Sequence, residues 1–175
     1  FNYLLNSMCL GNIEYDYQKR RELTNYLDWI VDSGVDIVTV ASPLLMELIA
    51  EEYPSVRIGT SVNNNIRSVP RAQQFVRHGV SRLTLSNMIN RNIRLLKELS
   101  SRIPIETEVL VNSSCLLDCI CRDYHQLIFS HASRDAGNGP ELIVDYPMLY
   151  CTEEKIEHPV QILKSPWIRP EDIGC

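Results

Sequence analysis

The sequence predicts an α/β fold, a parallel (βα) barrel that is incomplete or truncated at about six βα units. Three observations carry that expectation. Short apolar runs rich in β-branched residues alternate with helix-period segments roughly every 20 to 26 residues, the rhythm of βα units. Two stretches, Ser33-Gly34-Val35-Asp36-Ile37-Val38-Thr39-Val40 and His78-Gly79-Val80-Ser81-Arg82-Leu83-Thr84-Leu85, repeat one phrase of helix stop, Gly-Val, polar residue and strand. The strand-like runs also end in small polar residues, at Asn6-Ser7, Ala41-Ser42, Thr60-Ser61, Ser86-Asn87 and Asn112-Ser113. Such residues line a ligand pocket at the carboxyl rim of a sheet or cap the next helix. An open doubly wound sheet is the alternative architecture.

The elements follow in order. Asn2 to Leu5 reads as the first strand. Leu23, Tyr26, Leu27, Ile30 and Val31 recur at helical spacing, and Gly34 supplies the stop. Asp36 to Val40 is the second strand. Ser42-Pro43 starts a helix, the serine oxygen being a cap and the proline already holding a helical φ. Leu44, Leu45, Leu48 and Ile49 form its inner face, and Tyr53-Pro54 ends it. Val56 to Gly59 is the third strand, Val69 to His78 a helix stopped by Gly79, and Arg82 to Leu85 the fourth strand. Asn90 to Ser101 turns Ile93, Leu96 and Leu99 inward, and Pro104 introduces a fifth strand from Ile105 to Val111. On that strand Glu106 and Glu108 share one face. Beyond His131 the rhythm breaks. Ala132 to Pro140 reads as an exposed loop or lid, Leu142 to Tyr150 is mixed, Val160 to Leu163 reads as a sixth strand, and Arg169-Pro170-Glu171-Asp172 opens another helix.

Composition bounds the function. With 45% apolar and 22% charged residues, the 175 residues read as one ordered barrel-like domain spanning 1–175. A net charge of -5 argues against general nucleic-acid binding. Arg67, Arg71, Arg77, Arg91 and Arg94 read as solvated helix faces or as a local basic surface. The absence of a basic-then-apolar leader and of a membrane-length apolar run leads to the expectation of a cytoplasmic protein with no membrane span. Phe1 in place of a methionine suggests an excerpt of a longer gene product. In a reducing compartment the six cysteines are expected to serve metal or redox chemistry, not a disulfide framework.

The chemistry concentrates in Asn112-Ser113-Ser114-Cys115-Leu116-Leu117-Asp118-Cys119-Ile120-Cys121-Arg122-Asp123-Tyr124-His125. Cys115 and Cys119 are four apart, so a helical turn would place both sulfurs on one face, with Cys121 pointing elsewhere. Soft thiolates at such a spacing suit an iron–sulfur cluster or zinc. Cys151 is the expected third ligand, brought across the loop, and Cys121, Cys175 or a residue beyond the chain the fourth. Structural zinc usually shows Cys-x2-Cys pairs, which are absent, and the Cys-x3-Cys-x-Cys spacing after a fifth strand does not match a radical-SAM motif. Cys9, in an apolar stretch, reads as a buried inert thiol. Arg122 could clamp a substrate carboxylate and His125 could move a proton, so these two are the catalytic candidates. Each could equally be a structural hydrogen-bonding residue.

Several segments in order carry a family resemblance. They are Gly34-Val35-Asp36, Leu45 to Ile49 with Tyr53-Pro54, Asn90-Arg91-Asn92, Glu108-Val109-Leu110-Val111-Asn112 leading into Cys115, Cys119, Arg122 and His125, and Ser165-Pro166-Trp167-Ile168-Arg169-Pro170-Glu171-Asp172. In this order the chain resembles the collagenase-like peptidase family, whose relatives include oxygen-independent hydroxylase subunits of the UbiU and UbiV type. The resemblance implies a (βα) barrel with a 4Fe-4S cluster at its mouth. In the hydroxylase members it implies modification of an aromatic ring or a nucleotide without molecular oxygen. The expected function is therefore an iron–sulfur enzyme acting on a small-molecule or nucleotide substrate. The alternatives are a non-catalytic iron–sulfur subunit needing a protein partner or a homodimer, and a metal-dependent peptidase, with zinc as the alternative metal. No Ser/His/Asp or Cys/His arrangement for peptide cleavage is identifiable in the sequence.

Overall fold

A computed structural model describes residues 1–135 and 146–172. Five strands, β1 (Asn2–Leu5), β2 (Ile37–Val40), β3 (Arg57–Thr60), β4 (Arg82–Thr84) and β5 (Glu106–Glu108), form one parallel sheet in the order of the sequence. Between them run α1 (Arg20–Asp32), α2 (Pro43–Glu52), α3 (Val69–Arg77) and α4 (Ile93–Arg102). A doubly wound sheet reverses its strand order at a switch point, and this one does not. With right-handed crossovers, an unreversed order places all four connecting helices on one face.

The burial pattern follows from that placement. Alternate strand residues Leu5, Val38, Val40, Ile58 and Leu83 meet Leu27, Ile30, Leu45, Ile49, Phe75 and Leu99 of the helices in one apolar core. The residues between them face the other side and are largely polar. There Asn2 Oδ1 accepts from Thr39 Oγ1 at 3.0 Å, and Arg82 Nη2 donates to the same hydroxyl at 3.4 Å. Arg82 Nε lies 3.1 Å from Glu108 Oε2, an ion pair without hydrogen-bond alignment, and Arg57 bonds Glu106 at 2.8 Å. Gly59 makes room for this ladder. A Cβ there would stand 3.3 Å from Thr39 Oγ1 and 3.5 Å from Arg82 Nε. Strand pairing is also thinnest here, with Gly59↔Arg82 the single paired register between β3 and β4.

The two glycine stops agree with the sequence, and two caps come from residues that it did not single out as such, with α4 starting three residues after Asn90. Ser68 caps the Arg71 N–H and Asn92 the Leu95 N–H, while Gly34 and Gly79 end their helices at φ of 75° and 78°. Ser42 departs from expectation, because its side chain caps nothing and its shielded oxygen finds no partner. Pro43 starts that helix unaided.

The second part of the chain holds three corrections. Val160–Lys164 is a helix, α7, and not a sixth strand, so five strands are present among the described residues. Pro159, at φ -56°, sets a helical entry, and an apolar run of this length has no period to separate strand from helix. Ala132 to Asp135 are not loop but the last turn of α5 (Arg122–Asp135), while 136–140 lie outside the described residues. The stretch read as mixed opens α6 (Tyr146–Glu157) at its described end, and Leu142 to Asp145 lie outside. β5 is also shorter than the apolar run suggested, and Pro170–Asp172 forms one short 3-10 turn. Among the described residues no helix is long and apolar enough to cross a membrane.

Two substitutions test this packing. Leu45→Ala, at a site with no solvent exposure, is expected to lower the unfolding free energy by about 2–5 kcal/mol. Gly79→Ala is expected to destabilise more than Gly34→Ala, because both need positive φ but only the Cβ at 79 meets another atom, Ala50 Cβ at 3.0 Å. Denaturant titration of the two glycine variants reads the order directly.

Candidate functional site

The site is built where β4 and β5 end and α5 begins. Asn87, just past β4, is 4% exposed and ties three segments together. Its Oδ1 accepts from Arg122 Nη1 at 2.8 Å, and its Nδ2 donates to Ser113 Oγ. Arginine can only donate, so this bond fixes which way the Asn87 amide points. At its far end α5 meets the loop after β1, where the Met8 N–H donates to Ser130 Oγ at 3.0 Å. Helix α5 therefore runs across the carboxyl rim of the sheet. Gln126, Phe129 and Ser130 of α5 share a cavity of about 280 Å³ with Asn6, Ser7 and Asn63 of the rim.

The thiols gather beside the start of this helix. Cys115 is exposed, Cys119 and Cys151 are half-buried, and Cys121 is 7% exposed. Burial pushes the Cys119 thiol up, and the charges of Cys121, Cys151 and Cys115 push the same way, against a backbone N–H of Cys121 that favours the thiolate. Cys151 arrives on α6, which the Lys155 ammonium holds to the cysteine loop through the Ser114 carbonyl at 2.8 Å. Next to it, the Tyr150 phenol is pushed up by burial and then by Glu154, Cys119 and Cys121. Cys9 stands apart, half-buried, with its sulfur accepting from the Gly11 N–H. Cys175 lies outside the described residues.

The expected helical turn through Cys115 and Cys119 is not present. Asp118 sits at φ 50° between them and α5 starts only at Arg122, so both cysteines lie on an irregular loop. What brings the thiols together is the loop fold and α6, not an i,i+4 helical face. Among the described residues no three His, Cys, Asp or Glu side chains are already arranged to hold a metal ion. The donor set still suits a soft metal. Cys119 feels the charge of the other three thiols, and no cation is among the groups that shift it.

Arg122 and His125 leave the helix in different ways. Arg122 turns toward Asn87 at the β4 end, and it is not among the charges acting on Cys119. The His125 ring packs on Phe129 with centroids 4.6 Å apart, and burial holds its imidazole below the usual value. Its Nε2 is shielded and has no hydrogen-bond partner. The His125 N–H is bound to the Cys121 carbonyl at 2.7 Å, which ties the ring's helix to the thiol loop. Asn87 and Ser113 were visible in the sequence only as strand-end polar residues. Ser130 carried no sequence signal.

A parallel sheet in sequential order with a helix after each of its first four strands defines an α/β fold of repeated βα units. The chain belongs to peptidase family U32, whose model matches residues 6–139. It is 30% identical over 177 residues to an uncharacterized protease of Methanocaldococcus jannaschii, covering 99% of this chain and 51% of that protein. The chain thus spans about half the length of the curated relative it matches. The solved structure of a U32 peptidase has the same fold, with a TM-score of 0.70 at 24% identity over 79% of this chain and 58% of that one.

Removing the bridge at Asn87 tests the geometry of the rim. Asn87→Leu strips partners from Arg122 and Ser113 and is expected to lower stability by about 1–3 kcal/mol. Asn87→Asp keeps an acceptor for Arg122 and should lose less. Equal unfolding midpoints for Asn87→Leu and the parent would show that the bridge holds nothing.

Proposed function

We propose that this chain is the cluster-bearing part of an iron–sulfur enzyme of the U32 family, built on an incomplete (βα) barrel. Cys115, Cys119 and Cys151 would hold a 4Fe-4S cluster, with Cys121 as the fourth ligand from this chain. The observation that supports the reading is the convergence on Cys119 of three other thiols, drawn from the β5–α5 loop and from α6. Burial and the neighbouring thiols disfavour the Cys119 thiolate, and a bound cation would favour it. When bound, such a cluster supplies one-electron chemistry through iron held by sulfur. The free cysteines, with no disulfide among the described residues, fit a reducing cytoplasmic setting.

The protein's own groups would then bind and orient the substrate. Arg122, held by Asn87, presents its remaining N–H donors at the rim, and burial disfavours the charged form of His125, whose shielded Nε2 has no hydrogen-bond partner. The uncharged rim cavity of Asn6, Ser7, Asn63 and Gln126 suits an aromatic or nucleotide ring that is hydroxylated without molecular oxygen. The names of the relatives point to peptide cleavage, and for a nucleophile–histidine pair the partner is missing, since no hydroxyl or thiol hydrogen-bonds His125 Nε2.

Anaerobic purification of the full-length protein tests the reading. A brown protein with broad thiolate-to-iron absorbance and matching iron and sulfide contents is expected, and Cys119→Ser should lose most of the iron while Cys9→Ser keeps it. A colourless protein with stoichiometric zinc would sink the proposal. Arg122→Ala and His125→Ala are expected to retain iron but to lose turnover of a candidate aromatic or nucleotide substrate. If only association with a partner chain changes, the site belongs to a non-catalytic subunit.

A further inference from the structure

A large cavity lies outside the thiol cluster. It measures about 700 Å³ and opens between the start of α4 and the end of α7. Its rim carries three cations, Arg91, Arg94 and Lys164, and no carboxylate lines it. In a chain of net charge -5 that is a local reversal of sign. Arg91 is fixed in place, donating to the Leu163 carbonyl at 2.6 Å and stacking over Trp167 at 5.9 Å. Asp172, which also feels Arg91, is already engaged by Arg169 through two bonds of 2.8 Å. Arg94 and Lys164 form no ion pair among the described residues.

Asn92 of the same lining caps α4, so the positive end of a ten-residue helix adds to the three side chains. Met88 and Leu117 close the cavity on the other side. Leu117 lies between Cys115 and Cys119, and Met88 Sδ accepts from the Asp118 N–H at 3.4 Å. The cavity therefore adjoins the cysteine loop.

We propose that this pocket binds a phosphate group, with Arg91, Arg94 and Lys164 as its cationic donors. Three cations suit a dianion better than a single carboxylate, and guanidinium groups match phosphate oxygens two at a time. The volume exceeds one phosphate, and the apolar side of Met88, Ile93 and Leu117 accepts the body that carries it. The phosphate belongs either to a small phosphorylated molecule or to a polynucleotide. Its place beside the thiol loop makes it the anchor of the substrate, and this last step alone rests on the iron–sulfur reading.

Calorimetric titration of the full-length protein with inorganic phosphate, pyrophosphate, a 5′-mononucleotide and a short single-stranded oligonucleotide tests the pocket. Saturable binding of at least one probe is expected. The double variant Arg94→Gln/Lys164→Gln should weaken it at least tenfold, while Arg77→Gln, an exposed arginine on α3, should change it less than twofold. A mononucleotide that binds as tightly as the oligonucleotide identifies a small phosphorylated ligand, and a much tighter oligonucleotide identifies the polymer. No saturable binding, or equal weakening by Arg77→Gln, overturns the proposal. Iron content is read on the same samples, so binding without iron overturns the cluster reading alone, and iron without binding overturns the pocket alone.

Discussion

The structure depends on parallel pairing of strands in the order in which they are made. With that order, right-handed crossovers leave only one face for the helices, and each strand must divide its side chains between an apolar side and a free side. The core of Val38, Val40, Ile58 and Leu83 and the polar ladder of Thr39, Arg82 and Glu108 are two results of one constraint. The same constraint collects every strand's carboxyl end on one rim. Asn87, the cysteine loop and Arg122 come from segments that leave this rim, and only Cys151 is brought in from elsewhere, on α6.

Rim chemistry in this protein is divided among neighbours. Asn87 takes Arg122, α6 brings Cys151, and the opening of α4 brings Arg91 and Arg94. The arginines face away from the thiols, because Arg122 is turned to β4 and the basic cavity lies behind Leu117, while the Lys155 ammonium is taken up by the Ser114 carbonyl. A cation beside the sulfurs would compete with a metal for them.

Much of the architecture was legible in the sequence because its signals are local. Gly34 and Gly79 each fix a helix end within a few residues, and the repeated Gly-Val phrase fixed the spacing of the strands. What could not be read depended on one backbone angle or on distant partners. The left-handed Asp118 breaks the turn that the Cys115 and Cys119 spacing suggested, and no periodicity reports such an angle. Arg122 points to a residue 35 positions away, and the apolar Val160 to Leu163 stays outside the sheet because α7 follows Pro159. The shared face of Glu106 and Glu108 was visible, but which side of the sheet it occupied required the strand order.

The ladder across the free face has a mechanical side. Between β3 and β4 the backbones share one paired register, against four between β2 and β3 and three between β4 and β5. Arg82 crosses that seam over the bare backbone of Gly59 to reach Thr39, and the Thr84 N–H reaches back to Thr60 Oγ1 at 2.9 Å. Side chains thus stitch the sheet where its backbone bonds are fewest. Across the seam, β1–β3 and β4–β5 are therefore joined by side chains as much as by backbone pairing.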